Sequence, residues 1–233
     1  MIKSKIPFIS VLFLLAVGDI QAQTEDLSDN ELWLSAKLNY KHNKKWNFGI
    51  EQQLRRKENY SVTDQYFTEL SAKRYFFKKA YLGVAARYIN DNDTKGKITG
   101  YEQHVRINAD LGFKHKVNRF KFNYRIRFQG KNELNVSEAE GDTTNYTLRF
   151  KVSTLYNIKK WPLDPKVSVE LFNGLGPNPE FIKYRFTAGT SYEFKKFGEL
   201  CAFYRFEKGM NVPVIKTSHI IGIQYTYTLK RKK

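Results

Sequence analysis

The chain has 233 residues, 41% of them hydrophobic, and a formal net charge of +17 from 40 Lys and Arg against 23 Asp and Glu. A single cysteine, Cys201, excludes an internal disulfide, and no stretch beyond the N-terminal segment approaches the ~20 uninterrupted apolar residues that a membrane-spanning helix needs. The basic charge raises nucleic acid as a partner, but the lysines fall in separate short clusters (Lys41, Lys44, Lys45; Lys78, Lys79; Lys114, Lys116; Lys159, Lys160; Lys195, Lys196) where a nucleic-acid groove would gather them, so no nucleic acid is expected.

At the N-terminus, Lys3 and Lys5 precede an apolar run from Ile6 to Val17 and the small residue Ala22. This is the pattern of a secretory signal cut before Gln23. Residues 1–22 are expected to be removed and 23–233 to form one domain, since no Pro/Gly/Ser-rich linker divides them.

Period-two alternation then recurs along the chain, and helical spacing is sustained nowhere. The segments are Leu32–Tyr40, Trp46–Leu54, Tyr66–Phe76, Ala80–Ile89, Tyr101–Phe113, Phe120–Gln129, Tyr146–Tyr156, Val167–Phe172, Ile182–Phe194, Leu200–Glu207 and Thr217–Leu229. In Phe120–Gln129, Phe120, Phe122, Tyr124, Ile126 and Phe128 alternate with Lys121, Asn123, Arg125, Arg127 and Gln129. The long segments run roughly ten residues, the length of a tilted strand crossing a hydrocarbon layer.

Volume decides what the apolar face touches. Eleven strands offering their apolar faces inward would overfill a closed barrel. The apolar face must look outward to lipid and the polar face to a lumen; a two-sheet sandwich would need unusually long strands and arginine-rich exposed faces. Gly49, Gly83, Gly112, Gly189 and Gly222 all fall on the polar face, which marks it as the crowded, concave side. Tyr40, Trp46, Phe113 and Phe120 near one set of ends, and Tyr66, Tyr88, Tyr101 and Tyr146 near the other, resemble two interfacial girdles.

Connectors alternate between short (after Tyr40, Phe76, Phe113 and Phe194) and longer (after Leu54, Ile89, Gln129, Phe172 and Glu207). This predicts an antiparallel outer-membrane β-barrel of about 10–12 strands with short basic periplasmic turns and longer outer loops. The basic turns either lie beside lipid phosphates or blunt sheet edges. The odd count of eleven leaves three alternatives open: a strand hidden near "QTEDLSDNE", a mis-split Val167–Phe172, or parallel closure of the first and last strands.

The stretch "YNIKKWPLDPKVSVELFNGL", followed by "KYRFTAGTSYEF", "YRFEKGMN" and "SHIIGIQYTY" and preceded by "ELWLSAKLNYKHNKKWNFGIEQQLR", resembles the domain of unknown function 2490 family of uncharacterised bacterial outer-membrane β-barrel proteins. The resemblance implies location and shape and no activity. The final strand also resembles the signal read by the outer-membrane assembly machinery, with Gly222, Tyr225 and Tyr227 in place; Ile220 and the trailing Lys230–Lys233 depart from it. Outer-membrane lipid and that machinery are the expected partners.

No G-x-S-x-G, H-E-x-x-H, P-loop or paired-cysteine motif occurs, so no catalytic residue, cofactor or metal is expected. His42 and His115 are placed in turns. His219 is placed on the lipid face with Ser218 opposite, and His104 in the lumen beside Glu102 and Arg106. The candidate site is a lumenal charge lattice: Arg87, Arg106, Arg125, Arg127, Arg149, Arg185 and Arg205 facing Glu51, Glu69, Glu102, Asp110, Glu170, Glu193 and Glu207, with Lys37, Lys73, Lys121, Lys151 and Lys183 adding positive charge. Three function classes remain: a structural or binding barrel with a charge-filled lumen, a narrow anion-selective channel, and a lipid-modifying enzyme. Asp110 is expected to meet Arg125 across the turn "HKVN", either diagonally, with Asp110 opposite Asn123, or directly opposite after a two-residue slip.

Overall fold

The computed structural model describes residues 26–77, 79–93, 100–134, 136, 144–194 and 196–231; the expected signal peptide lies outside them. The described residues form eleven strands: β1 (Asp26–Lys41), β2 (Trp46–Lys57), β3 (Val62–Phe76), β4 (Ala80–Asp93), β5 (Gly100–Val117), β6 (Phe120–Glu133), β7 (Asn145–Tyr156), β8 (Leu163–Gly174), β9 (Glu180–Phe194), β10 (Gly198–Gly209) and β11 (Ile215–Lys230). Each pairs with its sequence neighbours, and β1 pairs with β11 to close the barrel.

The closure settles the odd count. β1 and β11 run parallel from Asp26↔Ile215 to Lys41↔Lys230, while every other pair is antiparallel. The described part of "QTEDLSDNE" begins β1, and Val167–Phe172 widens into β8 without splitting.

Alternation sets which way each side chain points. At mid-strand the outward positions are apolar and open, as with Leu70, Val84 and Ile107, the last 62% exposed. The inward positions hold buried charge: Glu69, Arg87, Asp110, Arg127, Arg149, Glu170 and Glu207. This inverts a water-soluble protein, in which charges stay outside unless paired.

The inward wall is crowded, as the lumenal glycines imply. A Cβ on Gly112 would lie 2.1 Å from Tyr81 Cζ, and one on Gly222 would lie 2.0 Å from Phe203 Cζ. Each ring reaches over the glycine opposite it on the neighbouring strand, into space that a Cβ there would take.

Two expectations about connectors are corrected. β5 continues to Val117, so the turn is Asn118–Arg119 and not "HKVN", with Val117 opposite Phe120 and Asn118 at φ 51°. Asparagine tolerates that left-handed conformation. His115, Lys114 and Lys116 therefore belong to a strand; His115 faces outward and stacks on Phe122 and Tyr124 at ring-centroid distances of 5.0 and 5.5 Å. The connector after β2 shrinks to a tight turn over 58–61, with Glu58, Asn59 and Tyr60 at φ 53°, 53° and 70°, because β2 and β3 extend beyond their apolar alternation.

Candidate functional site: the charged lumen

The register decides which charges meet. Asp110 lies opposite Arg127, whose Nε and Nη2 donate to its two carboxylate oxygens at 2.6 and 2.8 Å. Arg125 lies opposite Gly112 and turns to Glu170 instead. The expected Asp110–Arg125 pair is corrected to Asp110–Arg127; apolar alternation alone ends β5 four residues early, which slides the partner along.

Glu170, 1% exposed, is the centre of the lattice. Its carboxylate meets Arg125 at 2.6 Å, Arg149 at 2.8 Å, Arg185 at 3.2 Å and Lys151 at 3.9 Å. Four cations on β6, β7 and β9 thus converge on one anion from β8. Arg185 also reaches Glu207 at 2.6 Å, which Lys183 joins at 3.3 Å.

Glu69 holds Arg87 at 2.7 Å and Arg106 at 3.6 Å, and Glu51 holds Lys37 at 3.2 Å. Arg106 therefore turns away from His104, whose Nε2 lies 3.4 Å from Glu102 and 3.9 Å from Asp91. Glu193 and Lys121 are exposed near the short-turn mouth, outside the lattice. His219 faces outward, its Nδ1 2.7 Å from the Tyr204 hydroxyl, while Ser218 points inward to Glu31 at 2.8 Å. Among the described residues no group of three or more His, Cys, Asp or Glu is arranged to hold a metal.

The structure adds a layer that the sequence does not announce: aromatic rings inside the lumen with guanidinium groups stacked on them. Arg55 lies 3.6 Å from the Trp33 ring centroid and Arg205 lies 4.6 Å from it; Arg87 lies 3.4 Å from Phe67, and Arg149 4.4 Å from Phe172. Such stacking holds a guanidinium in place without neutralising it. Glu31, also absent from the expected lattice, accepts hydrogen bonds from Trp33 Nε1 at 3.0 Å and Lys216 Nζ at 2.8 Å. The signal for it is the phase: Asp29, Glu31 and Trp33 continue the lumenal face of Lys37 two residues at a time.

These side chains line a partly open central chamber of about 420 Å³, with twelve Arg or Lys and five Asp or Glu side chains on its wall. Of the twelve, Arg55, Lys73 and Arg205 have no carboxylate among the described residues within the 4.0 Å ion-pair range. At the long-connector mouth, a vestibule of about 360 Å³ carries an even three against three, Arg55, Lys183 and Lys216 against Glu31, Asp64 and Glu207. At the short-turn mouth a recess of about 550 Å³ carries Lys79, Lys114, Lys116, Lys121 and Lys166 with no acid.

No curated protein matches the sequence significantly. Among solved structures the chain is similar to OmpF of Salmonella typhi in complex with daunomycin, at 20% identity and a TM-score of 0.32, over 69% of this chain and 49% of that one. The chain thus spans about half the length of that protein. The sequence model described as "Protein of unknown function (DUF2490)" matches residues 30–208. A match over most of the chain fixes its membership: it belongs to the DUF2490 family.

Proposed function

We propose that this protein is an outer-membrane barrel, exported through a cleaved signal peptide and inserted by the barrel assembly machinery, that acts as a structural or binding barrel with an occluded, charge-filled lumen. The observation that carries this reading is the inversion of polarity: outward positions such as Ile107 and Val84 are open and apolar, while Glu170, Asp110 and Arg149 are buried inside. A wall of that kind is stable against hydrocarbon and unstable against water. Among the described residues, long side chains tied strand to strand by ion pairs reach across the bore around the central chamber, an arrangement that supports an occluded lumen.

Unboiled protein in detergent gels should migrate differently from boiled protein, and reconstituted protein should show no large stable conductance. Purification as a soluble monomer without detergent would end the membrane reading; porin-sized openings would end the occluded one. A second reading, a narrow anion-selective path, is favoured by the positive excess in the chamber, and a small conductance with an anion-selective reversal potential would establish it. No catalytic role is assigned, because His104 is engaged by two carboxylates and His219 by a tyrosine on the opposite face. A deletion strain with altered envelope lipids would reopen that question.

A further inference from the structure

We propose that the central chamber is a binding site for a compact, multiply phosphorylated anion; this rests on the reading of the protein as a barrel with an occluded lumen. Twelve cationic and five acidic side chains leave a formal excess of seven positive charges around about 420 Å³. The volume lies within the ~300–1,000 Å³ of small-molecule pockets. Confined like charges repel strongly beside a low-dielectric wall, so the chamber draws in counter-ions.

The kind of cation selects the kind of anion. Eight of the twelve are arginines, whose flat five-donor forks match phosphate oxygens in pairs. The aromatic rings behind Arg55, Arg87, Arg149 and Arg205 hold those forks before any ligand arrives, which lowers the ordering cost of binding. Arg55 and Arg205 share the Trp33 ring and have no carboxylate within 4.0 Å among the described residues; each donates from Nε to a neutral partner, Gln53 and Thr187, which leaves their terminal nitrogens for an outside anion.

Charge balance sets the valence. A phosphate monoester carries about −1.5 to −2, so about four such groups would offset the excess. A single orthophosphate would leave most of it standing. Charge favours approach from the short-turn mouth, where the five lysines of the recess extend the positive potential outward, whereas the vestibule at the other mouth is balanced. The charged wall suits a soluble phosphorylated molecule and not the acyl chains of a lipid.

Trp33 provides the readout. In full-length barrel carrying Trp46→Phe and Trp161→Phe, Trp33 is the sole tryptophan and lies on the chamber wall. Inorganic tripolyphosphate, orthophosphate and citrate are titrated at matched ionic strength, and heat modifiability is checked on every sample. Tripolyphosphate should change the fluorescence saturably, with a midpoint at least tenfold below those of orthophosphate and citrate. Arg55→Gln with Arg205→Gln should raise that midpoint at least tenfold; if that pair does not yield a heat-modifiable barrel, Lys73→Gln is read in its place with a threefold rise expected. Vesicles containing a phosphate-monoester lipid should give no response, and a response equal to that of tripolyphosphate would overturn the soluble source. A heat-modifiable parent with no saturable change, a citrate midpoint equal to that of tripolyphosphate, or a variant midpoint unchanged would each overturn the proposal while leaving the barrel standing. Loss of heat modifiability in the parent would overturn the barrel reading and this site with it.

Discussion

Asp110 and Arg127 face one another across β5 and β6 and share two hydrogen bonds, of 2.6 and 2.8 Å. Removing one partner of a buried pair costs about 3–5 kcal/mol, and a partly wet lumen should reduce that to roughly 1–2 kcal/mol. Asp110→Ala and Arg127→Ala should each destabilise the barrel in urea unfolding, and the double variant should lose clearly less than their sum. The same cycle run with Arg125→Ala should show weaker coupling. Equal coupling would place the β5–β6 register two residues from where it lies.

Glu170 is the single anion among four cations, so its loss leaves more than one charge without a partner. Glu170→Gln should destabilise by about 2–4 kcal/mol, more than any other single carboxamide change in the lumen. Added sulfate or phosphate should recover part of that loss by standing in for the carboxylate. A variant as stable as the parent in low salt would mean that Glu170 is not the lattice's centre.

Gly222 leaves the space in which the Phe203 ring lies, and a Cβ added there would stand 2.0 Å from the ring. Gly222→Ala should cost about 1–3 kcal/mol through overpacking, read as a lower urea midpoint. Phe203→Ala added to it should restore much of the difference, since the methyl then has room. Gly112→Ala and Tyr81→Ala should behave as a second such pair.

Closure through a parallel seam is tested by cross-linking. Leu34 and Ile223 are register partners on the outward face of β1 and β11. In a Cys201→Ser background, Leu34→Cys with Ile223→Cys should oxidise to an intramolecular disulfide detected by a gel-mobility shift, because paired strands bring Cα atoms within the ~4.4–6.8 Å that a disulfide spans. Leu34→Cys with Tyr225→Cys should oxidise more slowly.

The barrel is legible in the sequence through residues that sit at mid-strand. From Tyr101 to Phe113 one face is apolar and the other polar, the contrast expected where lipid and lumen lie on opposite sides. Past the hydrocarbon edge both faces meet water, so the alternation fades. For that reason apolar alternation starts β1 at Leu32 and not Asp26, ends β2 at Leu54 and not Lys57, and passes over Glu31 and Arg55. Phase alone puts residues such as Glu69, Arg87, Asp110, Arg127 and Glu170 on the lumenal face, but it also puts Glu193 and Lys121 there, and these lie exposed near the short-turn mouth. Partners cannot be read from phase, because a pair depends on register: the two-residue turn at Asn118 decides that Asp110 meets Arg127. Trp33 and Phe67 are harder still, since hydrophobicity assigns them to lipid and only their position in the alternation assigns them to the lumen.

An odd strand number separates the two ends of the fold. Asp26, the start of β1, lies at the long-connector rim, and Lys230, the end of β11, lies at the short-turn rim. A barrel with an even number of strands returns both ends to one compartment; in a membrane, this one delivers them to two. An epitope placed before β1 and another placed after β11 would be read from opposite sides of the same membrane, giving intact cells an internal compass for which mouth faces out.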